Sequence, residues 1–117
     1  MVSGIYSSLS GLTAAQKRIT TAAHNTANAN TDGFKKQRVL HQEVKPQGVE
    51  TVVEQVNTPG PIAFRETENG LIQFEQSNVD FAEEAVNLLV GKRHYEANLR
   101  ALDVQNKTLG SVLDILE

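Results

Sequence analysis

The chain has no cysteine and no tryptophan, only four Phe and two Tyr, and only three prolines. Without cysteine there is no disulfide scaffold, no thiol nucleophile and no cysteine-bound zinc or iron–sulfur site. With so few large aromatic side chains, a compact enzyme core is not expected from 117 residues. Long apolar runs are missing too. Leu88–Val90 is as long as any uninterrupted stretch of apolar residues, far short of the roughly 20 needed to cross a bilayer. No secretory signal is expected, because Met1–Leu12 has no basic start and is broken by Ser3, Gly4, Ser7, Ser8, Ser10 and Gly11. A net charge of −3 gives no general reason to expect nucleic-acid binding.

What charge there is sits unevenly. Residues 1–31 carry only Lys17 and Arg18. Residues 46–91 hold eight acids against the single base Arg65, while the rest of the chain holds ten bases and six acids. The acidic middle is either a solvated surface or a zone that meets the basic flanks of a neighbouring copy.

Periodicity divides the chain into three parts. From Ile5, steps of four and three residues visit Leu9, Leu12, Gln16, Ile19, Ala23, Thr26 and Asn30. The pattern predicts a helix over about Ser3–Asn30 with a seam that weakens toward its end. Its other faces are Ala, Ser and Thr, so it makes few ion pairs and is marginal alone in water. Asn30-Thr31-Asp32-Gly33 reads as the helix stop, with Gly33 free to turn left-handed.

The stronger signal is at the other end. The same walk from Phe81 visits Ala85, Leu88, Lys92, Tyr95, Leu99, Leu102, Asn106, Leu109, Leu113 and Leu116. Only Lys92 and Asn106 interrupt the apolar stripe, which predicts one long amphipathic helix. Asp80 followed by Glu83 forms a capping-box signature at its start. Gly91 and Gly110 each cost about 1 kcal/mol relative to Ala in a helix. They are either tolerated imperfections or points where another helix comes close. Apolar residues beyond the seam, such as Val86, Leu89 and Val90, call for more than one helical partner.

Between the helices the period changes to that of strands. Val39–Val44, Val49–Val56, Ala63–Glu68 and Leu71–Phe74 are short and rich in β-branched or aromatic residues. Pro46-Gln47-Gly48, Thr58-Pro59-Gly60-Pro61 and Asn69-Gly70 separate them. The expected fold is therefore mainly α: long N- and C-terminal helices pairing as an antiparallel coiled coil around a small β-rich insert. The boundaries fall at 1–33, 34–79 and 80–117.

No catalytic or metal constellation is evident. His24, His41 and His94 have no metal-pair spacing, the serines lack a nucleophile-elbow context, and the glycines do not form a phosphate loop. Glu83–Glu84 is better explained by the positive end of a helix dipole than by acid–base chemistry. No cofactor and no enzymatic activity are expected.

Two stretches are more specific. Ser8-Leu9-Ser10-Gly11-Leu12, followed by the segment containing Asn25, Ala27, Asn28, Asn30, Thr31, Gly33 and Phe34, resembles the N-terminal signature of bacterial flagellar rod and hook proteins. The stretch containing Ser77, Asn78, Val79, Asp80 and Glu84, continuing to Arg93, Tyr95, Ala97 and Asn98, is similar to the C-terminal signature of the same family. The short insert, with Gly48-Val49 leading into Glu54-Gln55-Val56, is most like a proximal rod protein. Thr26, Asp32 and Ser77 depart from residues common in the family.

The resemblance implies a structural subunit of the basal-body rod that self-assembles through its terminal helices into a tubular axial structure carrying motor rotation toward the hook. The implied partners are further copies, other rod proteins and the flagellar type III export apparatus. Neither nucleic acid nor direct membrane insertion is implied. The implied location is the periplasm-spanning rod, reached without a cleaved signal peptide. The expected assembly seam comprises Ile5, Leu9, Leu12, Ile19, Phe81, Ala85, Leu88, Tyr95, Leu99, Leu102, Leu109, Leu113 and Leu116. A helical adaptor or export-linked binding protein of the flagellar system is the alternative.

Overall fold

The computed structural model describes residues 2–117. Helix α1 spans Val2–Ala27 and helix α2 spans Phe81–Leu116. Four strands lie between them: β1 Gln37–Glu43, β2 Val49–Gln55, β3 Ile62–Thr67 and β4 Gly70–Glu75. The strands form two separate antiparallel hairpins, β1–β2 and β3–β4, rather than one sheet. The chain is a rod, 81 × 23 × 17 Å. Among the described residues no helix is long and apolar enough to cross a membrane.

The two helices pack antiparallel. Gly4 and Ser8 near the start of α1 meet Gln105 near the end of α2. Gly11 meets Asn98, Ile19 meets Gly91, and Asn25 meets Glu84 at the other end. This interface runs one residue before the stripe that large apolar side chains mark. On α1 it follows Gly4, Ser8, Gly11, Ala15, Ala22 and Asn25, where periodicity points to Ile5, Leu9, Leu12, Gln16, Ala23 and Thr26; Ile19, which periodicity also names, keeps its place in the contact against Gly91. On α2 the closest contacts fall at Glu84, Gly91, Asn98 and Gln105, seven residues apart, where periodicity points to Ala85, Lys92, Leu99 and Asn106.

On α1 the reason is side-chain size. A stripe of Gly, Ser and Ala lets the backbones come close, and interaxial distance follows the side chains at the contact. A Cβ on Gly11 would lie 2.4 Å from Asn98 Oδ1, and one on Gly91 would lie 2.8 Å from Ile19 Cγ1. Gly91 is therefore a close-packing position. Among the described residues nothing lies within 4 Å of a Cβ placed on Gly110.

The fully buried apolar core is accordingly minimal: Ala14, Ala15 and Ala22. The larger seam residues sit on its flanks. Ile5, Leu12, Ile19, Leu88, Leu102 and Leu109 are half-buried. Leu9, Phe81, Ala85, Tyr95, Leu99, Leu113 and Leu116 are exposed.

Hairpin β1–β2 lies against α1. Ser10 Oγ accepts a hydrogen bond from Val49 N at 3.1 Å and donates to Ser7 O. Among the described residues, hairpin β3–β4 packs on neither helix nor on the other hairpin. It is tied only to the loops at its base, where Gly33 N donates to Glu75 O at 2.9 Å and Gln76 N to Pro61 O at 2.8 Å.

Candidate functional site

Helix α1 ends at Ala27, short of the expected Asn30. Asn28 and Thr31 explain the early stop. The Asn28 side-chain amide donates to His24 O at 2.9 Å, and Thr31 Oγ1 donates to Asn28 Oδ1 at 3.2 Å. Polar side chains that satisfy the last carbonyls compete with another helical turn. Gly33 then takes φ +70°, as its place after the stop leads one to expect. Phe34 closes the corner by packing its ring edge-to-face on His24, 5.6 Å between centroids.

Asn25 is the largest fully buried side chain among the described residues. Its Nδ2 donates to Gln37 O at 2.7 Å, and its Oδ1 accepts from Gln37 N at 2.9 Å. The same Nδ2 also donates to Glu84 Oε1 at 3.1 Å. One amide thus joins α1, the start of β1 and the first turn of α2. Neutral amides suit this role because they carry donors and an acceptor on one rigid plane.

Asn78 does the same on the other side of the junction. Its Oδ1 accepts from Lys36 N at 2.6 Å, and its Nδ2 donates to Val56 O at 2.9 Å and Thr58 O at 3.0 Å. Its own N donates to Phe34 O. The loops entering and leaving the first hairpin are thereby stitched to the segment that starts α2. Next to it, buried Ser77 accepts at its Oγ from Val79 N at 3.2 Å. Asp80 caps α2 by accepting from Ala82 N at 2.9 Å. The expected reciprocal half of the capping box is not formed, because Glu83 pairs with Lys36 at 2.6 Å instead.

Charge at this junction is held in pairs. Lys35 pairs with Glu75, and Lys36 with Glu83. The Lys35 ammonium and the Gly60 N–H hold the Glu75 carboxyl below its ordinary pKa. Glu84 behaves oppositely: burial pushes its carboxyl up, and the Asn25 and Asn87 amides offset only part of that. Its Oε2 is buried without a hydrogen-bond partner. A cavity of about 260 Å³ beside it is lined by Arg18, Lys36, Arg38, Gln37 and Glu83. Among the described residues no group of three His, Asp or Glu side chains could hold a metal ion.

The structure thus brings together Asn25, Asn28, Thr31, Gly33 and Phe34 from one end of the sequence with Ser77, Asn78, Asp80 and Glu84 from the other. Asn98 lies further along the helical pair, facing Gly11 while its Nδ2 donates to His94 O at 2.8 Å. Ala27, Asn30, Arg93, Tyr95 and Ala97 are exposed, and Val79 is half-buried. Gln105 of the contact network was not singled out from sequence, whereas Gly11 lay in the N-terminal signature and Gly91 among the possible points of close helix approach. For Gln105 the signal was the seven-residue spacing of small and polar residues, which runs parallel to the leucine stripe and is masked by it.

The chain is thus a rod whose two ends interlock through the amides of Asn25 and Asn78. Two family models match it at opposite ends. The flagella basal body rod protein model covers residues 5–35, and the flagellar basal body rod FlgEFG protein C-terminal model covers residues 73–115. The chain belongs to the flagellar basal-body rod and hook family. No curated protein matches it at a significant level.

Proposed function

We propose that the chain is a subunit of the proximal part of the basal-body rod, and that it assembles through its terminal helices into the tubular axial structure that carries rotation toward the hook. The observation that carries this reading is the inversion of side-chain sizes between α1 and α2. Ala, Gly, Ser and Asn, joined by Ile19, Glu84 and Gln105, occupy the contact between the helices, while Phe81, Leu89, Leu99, Leu113, Ile115 and Leu116 stay more than half or nearly half exposed along an 81 Å rod. A stripe of that kind is an interface awaiting partners.

Folding is then coupled to assembly. Ordering α1 costs about 1–2 kcal/mol per residue in backbone entropy. Its own buried set of three alanines returns little at about 25 cal/mol per Å² of apolar area. Surrounding copies supply the rest, and the two helices supercoil as they are enclosed. A monomer that is loose before assembly suits passage through the flagellar type III export channel and resists early polymerisation. No reaction and no cofactor enter this role, and the partners are further copies and other rod proteins.

The test is sedimentation and electron microscopy of the purified chain over a concentration series. Concentration-dependent tubes or helical filaments are the expected product. A compact dimer at every concentration points instead to a helical adaptor.

A further inference from the structure

Hairpin β3–β4 is the part of the molecule that its own fold leaves least explained. A lone two-stranded hairpin is at best marginally stable in water. This one packs on no other element. Register sets its two faces, since residues directly opposite share a side of an antiparallel pair. On one face Arg65 stacks over Phe74 at 4.4 Å and reaches Asp32 at 3.0 Å. The other face carries Ile62, Phe64 and Leu71, which are 52%, 67% and 73% exposed. Glu66, opposite Leu71, lies at the tip end of that face, with Glu68 in the turn. Neither acid has a cationic partner among the described residues.

The complementary surface is on α2. Val86, Leu89, Arg93, Ala97, Arg100 and Val104 are all exposed and follow helical spacing on the side away from α1. Arg93 and Arg100, seven residues apart, have no carboxylate partner among the described residues. The stripe from Val86 to Val104 is about 27 Å long at 1.5 Å per residue. The hairpin face from Ile62 to Glu66 is about 13 Å long at 3.3 Å per residue, so it fits within the stripe. Among the described residues the hairpin makes no contact with α2 of its own chain. Gly33, Asp32 and Lys35 hold it at its base through Glu75 and Arg65, and Asn78 fixes the segment that leads into α2.

We propose that the Ile62–Phe64–Leu71 face of one copy docks on the Val86–Val104 stripe of a second copy, with Glu66 and Glu68 meeting Arg93 and Arg100. This rests on the assembly reading above and names the contact that would propagate it. The two surfaces differ, so the contact is heterologous and repeats head to tail. Such repetition gives an open helical array unless the rotation closes. Unpaired opposite charges at the rim favour this register over others.

The absence of native cysteine makes the test direct. Copies bearing Leu71→Cys are mixed with copies bearing Val104→Cys under assembly conditions and oxidised. A reducible cross-linked dimer is expected from the mixture, and little from either variant alone or from Leu71→Cys mixed with Thr13→Cys. Arg100→Glu should raise the concentration needed for assembly on the order of tenfold, with Glu66→Arg in the same chain restoring it. Circular dichroism checks that each variant folds as the parent does. Normal polymers without the 71–104 cross-link, or normal polymers from Phe64→Ser with Leu71→Ser, overturn this contact and leave the assembly reading standing. A parent chain that stays monomeric at every concentration overturns both.

Discussion

Asn25 pairs with Gln37 as a neighbouring strand would, taking both its backbone N–H and its C=O, at 2.9 and 2.7 Å. The pairing crosses from the last turn of α1 to the first residue of β1, and Glu84 shares the same amide from α2. Asn25→Ala leaves a backbone donor, a backbone acceptor and a carboxylate short of partners at once. An unsatisfied buried polar group costs about 1–3 kcal/mol, and the expected loss here is about 3 kcal/mol. Urea unfolding should show a lower midpoint with an unchanged slope. Asn25→Asp should fare no better, since it keeps the acceptor, loses the donor and adds a charge beside Glu84.

Gly11 and Gly110 give opposite expectations for the same substitution. In a helix, Gly→Ala gains about 1 kcal/mol when nothing is in the way. Gly110→Ala meets open space and should be stabilising by up to that amount. Gly11→Ala brings a methyl group against Asn98 and should be destabilising by about 1–2 kcal/mol. Adding Asn98→Ser should recover most of that loss, giving a large coupling in a double-mutant cycle. Simple additivity would mean that α1 and α2 do not approach closely here.

Leu99 and Leu102 separate assembly from folding. Leu99 is 49% exposed, so Leu99→Asp should leave the monomer's melting temperature nearly unchanged and still block incorporation into the rod. Leu102 is half-buried on the side facing α1, between Asn98 and Gln105 in the heptad order. Leu102→Asp should lower stability by about 2–3 kcal/mol as well as block assembly. Incorporation of the Leu99 variant at the parent's level would remove that residue from the assembly surface.

Glu84 sets a pH dependence whose sign follows from its burial. Its folded-state pKa lies above the ordinary 4.5, so the folded form holds its proton more tightly than the unfolded form. The resulting stabilisation is complete below about pH 4.5 and disappears as pH rises through the raised value. Glu84→Gln keeps an oxygen for Asn25 without the charge. Its melting temperature relative to the parent should therefore climb between pH 4 and pH 7. A difference that is flat across this range would show that the carboxyl does not titrate within it.

Hydrogen exchange on dilute protein tests coupled folding. Amides of residues 5–30 should exchange far faster than those of residues 84–105 in the monomer, and become protected once the chain polymerises. Full protection of residues 5–30 at high dilution would show that α1 needs no second copy.

The sequence alone determined the order of elements, because each has its own local period. Leucines at steps of four and three can only line a helix, β-branched runs broken by Pro46-Gln47-Gly48 and Asn69-Gly70 can only make short hairpins, and Asp80 marks where α2 begins. It also carried the two terminal signatures, since those residues are consecutive. What the tertiary structure decided is which stripe faces inward. Periodicity weighs side-chain size and so pointed to Leu9, Leu12 and Leu99. Close approach of two backbones selects small residues, and so the contact fell one position earlier, on Ser8, Gly11 and Asn98. The meeting of Asn25 with Gln37 and Glu84, residues distant along the chain, and the separation of the strands into one packed and one unpacked hairpin, were likewise settled in three dimensions. Hydrogen-bond partners and free surfaces are properties of how elements meet, and no local pattern encodes that meeting.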